Sequence, residues 1–249
     1  VSRLCAEPRV GLAVIEAMLA PWRGGGRLTV LQPYVPVAAD VDGDTVRAIT
    51  LRHRDSGREI VCSAAYVIDA TELGDLLPMT GTEYAKGFEA QSDTGEPSAP
   101  AEAQPDNVQA VSVCFAIDHV DGDQTIDKPE NYDFWRQYQP EFWGGPLLGF
   151  KAPHPRTLEI TERSFTPNPD DDPLLVDADQ RRNPGDGNLW TFRRIAARRN
   201  FLPGAYQSDI CLVNWPMIDY MLGTIIDVSE DEKARHLKAA ADLSYSVFY

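Results

Sequence analysis

Two short turns constrain this chain more than any other feature. Asp42-Gly43 and Asp55-Ser56-Gly57 punctuate three β-rich runs, LTVLQPYVPVAADV, TVRAITLRH and EIVCSA. Asp-Gly tolerates the positive φ that a tight hairpin requires, so these runs predict a three-stranded antiparallel meander. Upstream, EPRVGLAVIEAMLAPWRGGG carries Val10, Val14, Met18 and Leu19 at helical spacing. Pro8 suits a first turn and Gly24, Gly25 and Gly26 supply a stop, which predicts a helix of about four turns. After the meander, YVIDA predicts a short buried strand from Tyr66 to Asp69.

Past Thr82 the sequence turns to Glu, Asp, Pro, Ser and Ala. GEPSAPAEAQPDN holds too few apolar residues for a core and predicts a long surface connection. A second strand-rich region opens at VQAVSVCFAID and contains an aromatic, proline-broken stretch, DFWRQYQPEFWGGP. LWTFRRIAAR and DICLVNW read as strands. Ser229 and Glu232 stand at capping-box spacing before a last helix, with Ala234, Leu237, Ala241 and Phe248 along one face.

Charge and composition exclude several classes. With 38 acidic against 23 basic residues, the formal net charge is −15 and the pI about 4.6. Sequence-independent nucleic-acid binding needs a basic surface, and so does docking on anionic lipid, so neither partner is expected. No apolar run approaches the ~18 residues of a spanning helix. Cys5, Cys62, Cys114 and Cys211 lie far apart without zinc spacing, which suits a reducing, cytoplasmic compartment. Cys62, Cys114 and Cys211 sit in apolar surroundings and read as small buried hydrophobes.

Most apparent motifs have simpler explanations. Asp40, Asp42 and Asp44 match the opening of a calcium loop, but Thr45 and Leu51 stand where its Gly and Glu belong, and the hairpin turn accounts for the acids. GGGRLT has Thr29 in place of a third Gly and follows a helix rather than a strand, so no complete dinucleotide fingerprint is present. Asp170-Asp171-Asp172, between prolines, reads as a solvated turn rather than a catalytic acid pair. Arg181, Arg182, Arg193, Arg194, Arg198 and Arg199 form a basic cluster in an acidic chain. As one strand, TFRRIAARR would put Arg194 and Arg198 on one face and Arg193 and Arg199 on the other. Pairing with the surplus acids competes with recognition of an anionic substrate there. His53, His119, His154 and His236 are unclustered, and no GxSxG is present.

The stretch richest in chemistry is YVIDATELGDLLPMTG. A strand end followed at once by small residues lets backbone approach a ligand at the carboxyl edge of a sheet. A helix, a meander and a strand ending in IDAT-x-x-GDL resemble the family of FAD-dependent oxidoreductases with a glutathione-reductase-type FAD-binding fold. GFEAQSDTGEPSAP, from Gly87 to Pro100, and NWP-x-x-DY, from Asn214 to Tyr220, add to the likeness; Glu72 stands where the family commonly has Gly.

That resemblance implies an α/β fold: part of a three-layer FAD/NAD(P)-binding domain, made of helix, antiparallel meander and a parallel-sheet strand, with a second, β-sheet-rich substrate domain. Residues 1–83 would belong to a discontinuous FAD domain, 84–107 to a connection, 108–226 to the substrate domain and 227–249 to a helix leading back. It implies an internal fragment lacking the G-x-G-x-x-G unit, weak in FAD binding and inactive alone. Asp69, Ala70, Thr71, Gly74 and Asp75 would lie near the ribityl-pyrophosphate of FAD, and Val37 would meet adenine through its backbone. Trp135, Trp143, Trp190 and Trp215 are candidates for lining a cavity for a small-molecule substrate. Arg194, Arg198, Asn214 and Trp215 are candidate substrate residues. The implied reaction is FAD-dependent oxidation or reduction of a small organic molecule; the residues name no catalytic acid or base and no oligomeric state. A non-catalytic β-rich binding domain, using the aromatic stretch around Phe134 to Trp143, is the alternative.

Overall fold

The structure, a computed structural model, describes residues 5–154, 157–170 and 187–249. Asp171, Asp172, Arg181 and Arg182 lie outside the described residues. By packing, the chain divides into two units, Ala17–Gln109 and Ala110–Tyr249, the latter together with the start of the chain through Glu16. Helix α1, Pro8–Gly24, runs as its spacing predicts, though Val10, Val14 and Met18 stay exposed.

The predicted meander is present as β1 (Tyr34–Asp42), β2 (Thr45–His53) and β3 (Glu59–Cys62), in the order β1-β2-β3 and antiparallel throughout. Asp42 pairs with Thr45 across the first turn, where Gly43 has φ of 57°. Arg47 grips Asp42 at 2.6 Å, so this acid serves the hairpin. The register shifts between Pro36 and Ala38, leaving Val37 opposite no residue of β2: a bulge.

Two expectations for this unit are corrected. Tyr66–Asp69 is not a buried strand; it is irregular, and Tyr66 and Ile68 are 89% and 85% exposed. An apolar run becomes a strand only beside a partner, and no described strand pairs with it. The connection from Thr82 to Asn107 is mostly exposed but locally folded. Helix α2 (Leu76–Thr80) precedes it and packs on β1, α3 (Gln91–Thr94) lies within it, and Phe88 bridges Gln104. At Gly87, with φ of 69°, a Cβ would stand 2.3 Å from the Gln104 carbonyl oxygen, so the closed loop demands glycine.

The second unit is built from short strands. β4 (Val111–Ser112), β5 (Phe115–Ile117), helix α4 (Tyr132–Gln137), and the hairpin β6 (Lys151–Pro153) with β7 (Ile160–Glu162) come first. Helix α5 (Leu189–Phe192), β8 (Arg194–Ala196), β9 (Ile210–Val213) and β10 (Asp219–Tyr220) follow, and α6 (Glu230–Phe248) ends the unit. β5, β9 and β8 form one antiparallel sheet with β9 central, and β10 pairs with β4. LWTFRRIAAR is therefore not one strand. Asn188 caps a helical turn through Trp190 N–H, the strand spans Arg194 to Ala196, and Arg198–Asn200 make a 3₁₀ turn. Face alternation consequently does not extend to Arg198.

Two clusters make the core. One gathers Trp135, Trp143, Leu147, Tyr220, Ala240 and Leu243; the other Leu189, Trp190, Cys211, Val213, Trp215 and Ile218. The capping box opens α6 as expected, Ser229 Oγ accepting from Glu232 N–H at 3.3 Å. The buried stripe, however, is Ala240, Leu243 and Ser244 rather than the face of Ala234, Leu237 and Phe248. Small residues carry it because α6 lies close to α4, β4 and β10, and Ser244 Oγ donates to the Val113 carbonyl at 2.8 Å. Of the cysteines read as buried, Cys211 is buried, Cys62 half-buried and Cys114 exposed. No described helix is long and apolar enough to cross a membrane.

Arg194 is the most deeply buried cation among the described residues. Its Nη1 donates to Asp209 Oδ2 at 3.0 Å, both groups being almost fully buried. Asp209 Oδ1 accepts from Arg198 N–H at 2.9 Å, and Asn168 Oδ1 accepts from Asp209 N–H at 2.8 Å. Removing one partner strands the other charge in the core. Asp209→Ala therefore lowers stability by about 3–5 kcal/mol in denaturant titration, while Arg194→Met combined with Asp209→Leu costs less than the single change.

Candidate functional site

The IDAT-x-x-GDL segment folds into a loop tied from within. Asp69 Oδ1 accepts from Thr71 N–H at 2.9 Å and Oδ2 from Leu76 N–H at 3.0 Å. Thr71 Oγ1 accepts from Asp75 N–H at 2.7 Å. One carboxylate thus spans the loop from entry to the start of α2, whose packing on β1 fixes it to the meander. Hydrogen bonds from the Thr71 backbone and hydroxyl, opposed by slight desolvation and helped by the Leu76 N–H, hold the Asp69 carboxyl below its ordinary value.

Gly74 takes φ of 67°, and a Cβ there would come 2.9 Å from Leu77 Cδ1. The positive φ selects glycine in this turn, and any larger side chain would also have to push the Leu77 tip aside. Ala70 is exposed, as are Glu72 and Asp75, so the loop shows solvent a small side chain, bare backbone and two acids. Val37 lies half-buried at the β1 bulge, where the hydrogen-bond ladder is locally broken. These are features a ligand approached by backbone requires: a rigid loop, little side-chain bulk and interrupted pairing. Asp69 itself is spent on the clamp, with both oxygens engaged.

The second unit holds a cavity of about 840 Å³, within the size range of small-molecule sites. Phe115, Phe165, Trp190, Trp215, Phe248 and Tyr249 are among its walls, with Asp118, His119 and Gln124 as polar groups. No lysine or arginine lines it among the described residues. Phe165 stands edge-on to both Trp190 and Trp215, at 5.7 and 5.8 Å between centroids, and His119 edge-on to Trp190 at 6.3 Å. Of the four tryptophans read as cavity candidates, Trp190 and Trp215 line it; Trp135 and Trp143 belong to the other core cluster.

The candidate substrate residues are separated. Arg194 is consumed by Asp209, and Arg198 gives its backbone N–H to Asp209 and Nη1 to the Gln207 carbonyl at 3.2 Å. Neither lines the cavity. Asn214 follows β9 half-buried, and Trp215 turns into the cavity wall. Arg199 approaches Asp170 at 3.9 Å. His53 accepts from Asp55 and Ser56 N–H within its own turn, and His236 Nδ1 meets Tyr220 OH at 2.7 Å. Burial pushes the Tyr220 hydroxyl up and the Cys211 thiol up to about 11, so neither ionises in the neutral range. Sequence reasoning missed the cavity walls at Ile117–Val120 and Ser246–Tyr249. The polar Asp118-His119 pair ending an apolar strand was the available sign.

Asp69→Asn replaces an acceptor with a donor that faces an N–H. It should speed hydrogen exchange of the Thr71 or Leu76 amide roughly tenfold, measured by NMR. Because the carboxyl lies below its ordinary 3.8, its support is complete at neutral pH and fades only as pH falls below that value. Equal exchange in both proteins would show that the clamp does not hold the loop.

Comparison with known proteins gives one match. A family model described as FAD dependent oxidoreductase matches residues 1–248. No curated protein and no solved structure matches the chain.

Proposed function

Because the chain belongs to the FAD dependent oxidoreductase family, we propose that it forms part of an enzyme that uses bound FAD to oxidise or reduce a small organic molecule. The observation that carries the reading is the clamped Asp69–Leu76 loop, rigid and faced with small residues, in the unit that also presents the Val37 bulge. Bound FAD supplies the hydride or electron transfer, and the protein supplies position and electrostatics.

Ala70, Thr71, Gly74 and Asp75 would hold the cofactor along its ribityl chain, with Asp69 keeping their backbone in place. The exposed acids Glu72 and Asp75 accept hydrogen bonds from hydroxyls and repel phosphates, which favours the ribityl part over the pyrophosphate. Val37 would meet the adenine by its backbone. These residues contact one side of a flavin, and the 249 residues include no complete G-x-G-x-x-G cradle. FAD affinity of this chain alone is accordingly weak.

The cavity of the second unit is the proposed substrate chamber. Its aromatic walls exclude water and take an apolar or planar body, while Asp118, His119 and Gln124 offer polar contacts. The sparse, unpaired cysteines fit a reducing, cytoplasmic compartment, which is part of this proposal.

The test expresses the protein from its complete gene and records visible flavin absorbance after reconstitution with FAD. Flavin should be retained, and Gly74→Val should weaken retention about tenfold or more by straining the turn and crowding Leu77. A colourless protein after reconstitution would overturn the reading.

A further inference from the structure

Arg193 makes no ion pair among the described residues, and the strand pairings show where it stands. Leu212 N–H donates to the Arg193 carbonyl at 2.9 Å, so Arg193 stands beside Leu212 on β9, next to Ala116 on β5. Residues facing each other across an antiparallel sheet project to one side. Cys211, Val213 and Arg194 fill the core side. Arg193, Leu212, Asn214, Ala116 and Cys114 therefore share the other side. Arg193 and Cys114 are close enough to interact electrostatically.

The Arg193 Nε is buried and has no hydrogen-bond partner. Among the described residues its guanidinium makes no ion pair, only a stacking contact with the Phe192 ring at 5.5 Å. The Asn214 side chain, half-buried on the same side, likewise has no hydrogen bond among the described residues. Asp219, which also acts on Cys114 but less strongly than Arg193, accepts from the Ser112 hydroxyl and makes no ion pair with Arg193. A desolvated guanidinium donor without an acceptor costs more than a neutral one, and a planar fork with an adjacent amide matches an oxyanion. In a chain with fifteen more acids than bases, an arginine that makes no ion pair among the described residues is a good receptor for an anion.

We infer that Arg193, assisted by Asn214, is a binding site for a small oxyanion, a carboxylate or phosphate group of a ligand, on the side of the β5-β9-β8 sheet away from the core. The site does not depend on flavin, and Arg193 is not among the described residues that line the cavity.

Cys114 is the built-in reporter. The protein is alkylated separately with iodoacetate and iodoacetamide, and modification of Cys114 is followed by peptide mass spectrometry. Relative to the denatured chain, the iodoacetate-to-iodoacetamide rate ratio at Cys114 should rise roughly five- to tenfold, as one nearby positive charge recruits the anionic reagent. Arg193→Gln should abolish the rise and Arg193→Lys should keep part of it. Acetate or inorganic phosphate in millimolar amounts should slow the iodoacetate reaction, and the more effective of the two identifies the kind of oxyanion. A ratio equal to that of the denatured chain, or one untouched by Arg193→Gln in a folded variant, would overturn the assignment. None of these outcomes depends on FAD binding, so they separate this inference from the flavin reading.

Discussion

A guanidinium removed from water must be met by an acceptor, and the second unit is organised around that requirement. Arg194 enters the core on β8 and finds Asp209, whose other oxygen holds the Arg198 amide, while Asn168 holds Asp209 from a distant loop. The chain start is held at the same residue through backbone alone, Cys5 N–H donating to the Arg194 carbonyl at 2.7 Å. The apolar cluster around Trp190 and Val213 packs beside this pair. Such a pair adds little stability over a hydrophobic substitute, but removing either partner leaves an uncompensated charge in the core.

The same economy appears in the first unit with the sign reversed. Asp69 is a carboxylate whose oxygens are consumed by backbone N–H groups rather than by a cation. It shapes a loop that would otherwise be a run of small residues with no reason to hold one conformation. An acid that looks like a ligand-binding group in the sequence thus acts one step behind the surface, and the exposed Ala70 and the half-buried Gly74 backbone are what remain to meet a partner.

What could be read from the sequence was what depends on neighbours in the chain. The Asp42-Gly43 turn, the Ser229 capping box and the Pro8-to-Gly24 helix are local chemistry, and the structure has them. What failed depends on distant partners. Tyr66–Asp69 has the apolar content of a strand but no ladder beside it. The TFRRIAARR alternation stops at Ala196 because Asn188 starts a helical turn and Arg198 starts another. The candidate loop was legible as a place, through Asp69, Gly74 and Asp75, but the reach of Asp69 to Leu76 was not. The cavity was only half visible, since two of its four expected tryptophans pack elsewhere.

The tandem Arg193-Arg194 carries a consequence for how this sheet assembles. Sliding β8 by one residue along β9 would exchange the two side chains, sending Arg193 toward Asp209 and Arg194 outward, with the charge pattern unaltered. Electrostatics therefore cannot proofread this strand. The choice falls to the residues that would be carried along: Ile195 would be driven inward where the small Ala196 now sits fully buried, and Ala196 would surface in its place. The fidelity of the unit's central pairing rests on the volume of one methyl-bearing residue against a branched one, a steric filter guarding an ionic bond.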